Sequence, residues 1–464
     1  MIMNINYIKQ SASVILFVFI ITLNYSCKKF LDAKPTSNIS KISVSDLQGL
    51  LDDYDTMNTN YPCDGEISSD NYFLLDANFN TLSVPDEQNL YLWKTDAQRT
   101  APGSVVGYWS NPYKIVYNAN LILETLNTPE AGTLDQQTFN NLKGSALFYR
   151  AYVYFQLAQL YTKPYNANTA GQDLGIPIRI TTAVEDKYDR GTVQKTYERI
   201  IADYQDAIAL LPATSTIKTR PNRAAAYAGL ARTYLAMEDY VNAGKMADEC
   251  LKLYSTLMDY NSPAISKTSL TPFSRFNSEV IFQTLTISSG PLTPSRAKVN
   301  TDLYNSYSTQ DLRKQVFFKT ATGGFRFTGN YEPVTISTFF NGLATDEVYL
   351  IRAESYARAG NTTLAMADLN TLLRFRYASP YTNMTAINAD DALTKILQER
   401  RKELLFRSIR WSDLRRLNKD TRFQTTLSRT NNGTTYVLPP NDLRYVLLIP
   451  QGVINTTGYP QNPR

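Results

Sequence analysis

Apolar residues fall at helical spacing in four stretches, 138–162, 195–211 with 222–254, 345–376 and 390–418. Between them lie segments rich in Pro, Gly, Ser, Thr and Asn with little periodicity, chiefly 60–110 and 256–343. The pattern predicts a mostly α fold in which helical pairs, near 138–162, 195–254, 345–376 and 390–418, support an irregular, loop-rich layer. Ala231 and Tyr234 of one pair align with Ala353 and Tyr356 of another. Twelve residues after each alanine stands a second one, Ala243 or Ala365, and seven further on a small or apolar residue, Cys250 or Leu372. Those intervals match a tetratricopeptide unit, in which small residues let two helices approach closely and the tyrosine packs on the next pair. A further unit is split, with Ala151 and Tyr154 on its first helix and Ile200, Tyr204, Ala207 and Pro212 on its second. From Ala151 to Ala231 is 80 residues and from Ala231 to Ala353 is 122, so long insertions interrupt the stack. An interrupted stack supports a second layer that carries function.

A different pattern opens the chain. The first 26 residues carry Lys9 as their only charge, then the apolar run Val14 to Leu23, broken only by Thr22, then Asn24-Tyr25-Ser26 before Cys27. Ten helical residues rise about 15 Å, roughly half the hydrocarbon core, so the run reads as a removed signal peptide and not a membrane span. A small residue before a cysteine suits a lipoprotein peptidase, and the thiol of Cys27 would then carry the lipid that anchors the mature chain. Asn24 stands where bacterial lipoboxes usually carry leucine, and an ordinary secretory signal with an incidental cysteine is the alternative. Residues 27–464 form one domain, with 27–45 as an N-terminal tether. No later stretch is apolar enough to span a bilayer.

Charge narrows the partners. The net charge of +5 is small against 47 basic and 42 acidic residues, which are interspersed, so nucleic acid is not an expected partner. Cys63 and Cys250 do not make a disulfide framework, and Cys250 reads as a small buried helix residue. The absence of histidine removes the usual general base, proton shuttle and commonest metal ligand. No catalytic residue, metal or cofactor is therefore nominated. Glu399 to Arg416, with seven basic residues against Glu399, Glu403 and Asp413, reads as a structural ion network. Glu403 faces Arg407 at i,i+4, and Glu354, Glu399 and Glu403 are expected to reach Arg352, Arg410 or Arg415. Trp411 is assigned to the helical core and Trp109 to closing the first repeat.

Aromatic residues are abundant, with 32 Tyr, 20 Phe and 3 Trp, and they either fill helical cores or offer flat faces to ligands. A sugar site needs such a face, bordered by side chains that bind hydroxyls. Two irregular stretches qualify: 70–104, with Asp70, Asn71, Tyr72, Asn78, Phe79, Tyr91, Trp93 and Arg99, and 256–343, with Tyr304, Phe325, Arg326, Phe327, Asn330, Tyr331 and Phe339. The ligand-binding candidates are Asp70, Asn71, Tyr72, Phe79, Trp93, Arg326, Asn330 and Tyr331. Trp93 follows alternating apolar residues and is expected half-buried; Tyr331, beside Asn330, is expected exposed.

Several motifs in order carry a resemblance. Cys27-Lys28-Lys29-Phe30-Leu31-Asp32 is followed by Pro35, then Glu66, Ser69, Asp70 and Tyr72, then Trp109, Tyr113, Ile115 and Asn120. Arg150 to Tyr161, and Tyr307, Asp311, Arg313 and Phe317, come next. Arg352-Ala353-Glu354, Leu369-Asn370, Arg374 and Arg376 precede Glu399-Arg400, Glu403-Leu404, Arg410-Trp411 and Asp413 to Arg416. Ile449-Pro450, Asn455 and Gln461-Asn462-Pro463 close the series. Over nearly its whole length the chain resembles the SusD/RagB family of outer-membrane nutrient-binding lipoproteins. It departs from the family at Arg407-Ser408, usually Glu-Gly, and at Arg464, and it is on the short side. The resemblance implies a lipid-anchored, cell-surface protein that binds a glycan, an oligosaccharide or a peptide and acts as the lid of a SusC-like TonB-dependent transporter. It places ligand contacts on the irregular face without a residue-level motif. Two other readings are a glycoside hydrolase using Glu66 with Asp70 or Asp302 with Asp311, and a periplasmic tetratricopeptide scaffold, which needs a more regular stack.

Overall fold

The computed structural model describes residues 43–333 and 337–464; the expected signal peptide, Cys27 and most of the expected tether lie outside the described residues. The longer helices are α1 (Asn111–Thr125), α2 (Gln136–Tyr161), α3 (Val193–Leu210), α4 (Arg223–Ala236), α5 (Tyr240–Leu253), α6 (Thr345–Arg358), α7 (Thr362–Leu373), α8 (Ala389–Glu403) and α9 (Arg410–Leu417). Their starts are set locally. Asp135, Thr192, Asn222, Asp239, Asn361 and Asn388 each accept, through the side chain, an N–H from the first turn of the helix that follows. α1 to α5 pack in succession, α5 rests on α6, and α7 and α8 complete the stack.

The repeat positions close the pairs. Ala231, Ala243, Ala353, Ala365, Cys250 and Leu372 are all fully buried. A Cβ on Gly229 of α4 would stand 2.6 Å from Tyr204 of α3, and one on Gly244 of α5 would stand 2.8 Å from Ser355 of α6. The helices thus approach at distances that side chains at these positions would prevent. α2 is buried along most of its length, and its Phe148, Tyr149 and Tyr152 surround Phe282 at ring-centroid distances of 4.7, 5.6 and 5.7 Å.

The irregular layer is built from two-stranded antiparallel ladders: β1 (Tyr72–Phe73) with β3 (Lys298–Val299), β2 (Val280–Phe282) with β6 (Leu343–Ala344), β4 (Phe318–Ala321) with β5 (Gly324–Phe327), and β7 (Leu427–Asn431) with β8 (Thr434–Leu438). The β1–β3 ladder joins the two aperiodic stretches, Tyr72 opposite Val299 and Phe73 opposite Lys298. These stretches also hold short helices such as Asp64–Ile67 and Pro85–Tyr91, too short to show a period in sequence.

Buried ion pairs clamp the layer to the stack. Arg313 meets Asp311 at 2.7 Å, Glu403 at 2.8 Å and also Glu399. Arg376 meets Glu279 and Glu403, each at 2.6 Å, and Arg407 meets Asp346 at 2.9 Å. The network is the one expected, but with different partners. Glu403 does not face Arg407, because α8 ends at Glu403 and Phe406 and Ser408 turn the chain at φ 58° and 57°. Glu354 pairs with Arg416 and Arg358, Arg352 with Asp248 and Asp368, and Arg410 with Asp70. Arg415 donates to backbone carbonyls at the end of α2. Removing one member of such a pair leaves an uncompensated buried charge, at a cost of about 3–5 kcal/mol.

Candidate functional site

Several nominated residues prove to be frame. Tyr331, expected exposed, is 1% exposed: its hydroxyl donates to Glu279 and faces Asp346, and the Arg407 guanidinium lies 3.8 Å from its ring centre. The buried carboxylates had claimed the phenol. Asn330 donates to the carbonyls of Glu332 and Thr338 and accepts the Phe340 N–H, which folds its own loop. Asn71 is buried and donates to Glu66 at 2.9 Å, and Phe79 packs on Tyr91 at 5.7 Å. Trp93 is more buried than expected, at 4%, with its indole N–H on the Ser68 carbonyl at 2.9 Å and its backbone at φ 52°. Trp109 and Trp411 are buried, as are Cys63 and Cys250, whose thiols burial pushes far up.

Asp70, Tyr72 and Trp93 do converge, on a cleft of 240 Å³ that they share with Phe73, Tyr91, Asn300 and Arg429. Its aromatic faces are already used. The Arg429 guanidinium lies 3.9 Å from the Tyr91 ring centre, 4.4 Å from that of Trp93 and 5.2 Å from that of Tyr72, and donates to the carbonyls of Tyr91, Ile67 and Ser69. Asp70 is gripped by Arg410 at 2.7 Å and Arg401 at 2.9 Å. Burial alone would raise its pKa, but the two guanidinium groups outweigh burial and hold the carboxyl well below the usual range.

Beside this cleft stands a half-exposed platform. Tyr304 and Phe325 stack at 3.7 Å with 13° between their planes, and among the described residues Tyr304 is the only ring stacked on Phe325. Phe73, also half-exposed, approaches within 3.7 Å of the Cβ position of Gly324. The hairpin that carries Phe325 turns tightly at Thr322–Gly323. Gly323 has φ +80°, and a Cβ there would stand 2.5 Å from Leu75, so glycine seats the hairpin against the chain leaving β1. Cations edge the platform. Lys314 lies 4.7 Å from the Tyr304 ring centre, and Arg326, paired across the ladder with Lys319, keeps a buried Nε–H without an acceptor. Burial, then the neighbouring Arg326, lowers the pKa of both Lys298 and Lys319. Asn300 caps the turn that presents Tyr304 and accepts the Leu303 N–H at 3.0 Å.

Of the carboxylates proposed for acid and base roles, Glu66, Asp70 and Asp311 are engaged, and Asp302 is exposed. Glu66 is buried and accepts from Ser69, Asn71 and the Ser408 N–H, while Asp311 lies between Arg313 and Lys402. Glu279, Asp346 and Glu403 bring oxygens within 4.8 Å of one another, and Arg376, Arg407 and Arg313 supply the positive charge there. Phe73, Asn300 and Arg429 were not nominated from the sequence. Asn300 had a signal, an asparagine opening a short helical turn. Arg429 had none beyond the alternation of its strand, which turns it inward with Leu427 and Asn431.

Residues 29–235 match a SusD-like family described as starch-binding associating with outer membrane, and residues 345–462 match the SusD family. The SusD-like protein P2 of Formosa agariphila is 31% identical over 153 residues, a match that spans 31% of this chain and about a quarter (26%) of that relative's length. A SusD superfamily protein from Bacteroides thetaiotaomicron has the same fold, with a TM-score of 0.72, 21% identity and coverage of 91% of this chain and 100% of that one. A SusD-like carbohydrate binding protein from Bacteroides vulgatus aligns with a TM-score of 0.67, 18% identity and coverage of 90% and 97%.

Proposed function

This chain belongs to the SusD/RagB family, and we propose that it captures a glycan on its irregular face and passes it to a SusC-like TonB-dependent transporter of the outer membrane. The observation that carries this reading is the half-exposed Tyr304–Phe325 stack, with Phe73 alongside and Asn300 and Arg326 at its borders. A pyranose ring has one face of C–H groups and a rim of hydroxyls. Aromatic carbon receives the face; amide and guanidinium donors orient the rim. Binding of this kind is weak per contact and breaks no bond. A lipid on Cys27, with residues 27–45 as a tether, would hold the body over the transporter while letting it swing.

The test is affinity electrophoresis of the chain lacking residues 1–27 through gels containing a panel of polysaccharides. Retardation by one glycan, lost in Phe325→Ala with the circular dichroism spectrum unchanged, is the expected result. No retardation by any glycan, or hydrolysis of one, would sink the binding reading. Copurification of the lipidated chain with a large barrel protein checks the transporter, and its absence would remove the lid role.

A further inference from the structure

The hairpin of β4 and β5 presents two faces. On one, Phe325 stacks on Tyr304 and Phe318 meets the same ring at 5.4 Å. Side chains alternate along a strand, so Lys319 and Arg326, directly opposite one another, share the other face. There β3 runs against β5: the Lys298 Cβ lies 3.6 Å and a Phe73 ring carbon 3.7 Å from the Cβ position of Gly324, and Phe73 and Lys298 are themselves paired across β1 and β3. The second face therefore joins one half-exposed ring to three cations.

These cations have no acid beside them. Of the other arginines in the 256–343 stretch, Arg275 meets Glu332 at 2.7 Å, Arg313 meets three carboxylates, and Arg296 donates to Thr81 and the Gly290 carbonyl. Arg326, among the described residues, makes neither an ion pair nor a hydrogen bond. Its Nε is buried out of any ligand's reach, but its terminal nitrogens are neither buried nor bonded. The Lys319 ammonium donates to the carbonyls of Lys267 and Gln315, which leaves one of its three N–H groups over. Lys298 is buried on the Ser295 and Arg296 carbonyls and contributes field, not contact. Burial and then Arg326 lower the pKa of Lys298 and of Lys319, with no carboxylate acting in return.

The acids nearest in sequence face elsewhere. Asp302 stands two residues before Tyr304 in the turn Thr301–Asn305, about 200° around the helix axis, and its charge acts on Arg401. Asp76 accepts from Asn431 and the Asn432 N–H, and Asp311 is buried between Arg313 and Lys402. Like charges directly opposite on a ladder destabilise it. A bound anion would offset that cost.

We infer that the glycan captured here is anionic, bearing carboxylate or sulfate groups. Phe73 receives the C–H face of one sugar ring while the terminal nitrogens of Arg326 and the spare N–H of Lys319 hold its acid. The chain then crosses the Thr322–Gly323 tip to Phe325 and Tyr304, where Lys314, 4.7 Å from the Tyr304 ring centre, meets a second acid. Guanidinium matches both oxyanions through paired N–H donors. The inference rests on the glycan-capture reading and names its substrate class.

Affinity electrophoresis of the full-length chain in non-ionic detergent, with each mobility taken relative to a glycan-free gel, tests it on matched pairs. Polygalacturonate and alginate are set beside their methyl esters, and a sulfated galactan beside its desulfated form. Binding of the charged member at least about tenfold tighter than of the neutral one is expected, and the pair that shows it tells carboxylate from sulfate. Arg326→Gln is expected to weaken that binding about tenfold and, by relieving the like-charge pair, to leave the melting temperature unchanged or raised. Lys187→Gln with Lys245→Gln, which removes two exposed cations ahead of α3 and on α5, is expected to change it less than about twofold. Equal binding of both members of every pair, binding of neutral members alone, charged binding untouched by Arg326→Gln, or a loss as large in the Lys187 and Lys245 variant would overturn the anionic class and leave glycan capture standing. Retardation by none of these glycans would overturn it as well, and the broader polysaccharide panel then decides whether capture itself survives.

Discussion

The helical stack and the irregular layer use the same residue types in opposite ways. Tyr152 in the stack is buried, with its hydroxyl on Thr284 and the Asn341 carbonyl; Tyr304 in the layer is half-exposed, with its ring stacked on Phe325. Arg376 is fully buried between Glu279, Glu403 and the Met258 carbonyl, whereas Arg326 keeps an Nε–H without an acceptor. In the stack these groups are committed to holding the fold. In the layer the fold leaves ring faces and donors uncommitted, and recognition becomes possible there.

The contrast can be broken by substitution, and the largest effect is expected in the buried network. Arg376→Met leaves Glu279 and Glu403 short of positive charge and should destabilise the fold by about 3–5 kcal/mol in urea unfolding; a loss below about 1 kcal/mol would mean the pairs contribute little. Gly229→Ala should cost about 1–3 kcal/mol by driving a methyl into Tyr204, and Gly229→Ala with Tyr204→Phe, which removes the nearby hydroxyl, should recover part of that loss.

A smaller effect follows pH. Burial raises the Asp346 pKa to about 7, against the opposing pull of Arg407 and with the help of Glu279 and Glu403. Between about pH 4 and 7 the folded chain retains a proton that the unfolded chain has released, so this group makes stability fall as pH rises through that window and level off above it. Asp346→Asn should flatten that part of the curve of melting temperature against pH. Glu403, held low by Arg376 and Arg313 despite burial, acts in the other direction: its stabilisation is lost as pH falls below the ordinary glutamate value. The smallest stability change belongs to the layer, where Phe325→Ala should cost under about 1 kcal/mol yet remove glycan retardation.

Legibility follows the same division. Ala231, Ala353 and their companions announced the helical pairs because buried small residues recur at fixed intervals, and the caps at Asn222, Asp239 and Asn361 stood where the helices begin. α1 carried a helical period at Ile115, Val116, Ala119 and Ile122 that the aromatic motif around Trp109 and Tyr113 obscured. The platform was only half legible. Tyr304, Phe325 and Arg326 lay in a stretch identified by composition, but Tyr331, a few residues on and chemically alike, was buried by acids from Glu279 and Asp346, remote in sequence. No local pattern records a partner contributed from another element. Arg429 filling the aromatic cleft is the same lesson, since its three rings come from 70–93 and the arginine from a strand more than 300 residues later.

The stems of the 256–343 stretch are pinned at Glu279 by Arg376, at Asp311 and Arg313 by α8, and at Tyr331 by the acids it touches. The Thr320–Gly324 tip lies beyond those pins, exposed at Thr320, Thr322 and Gly323. Such an arrangement is modular: the tip works as an exchangeable cassette on a bolted base. On the proposed glycan reading, substitutions at Thr320 and Thr322 would alter what is gripped and leave the anchorage of the stems intact, whereas Gly323 is held to glycine by its positive φ and by Leu75.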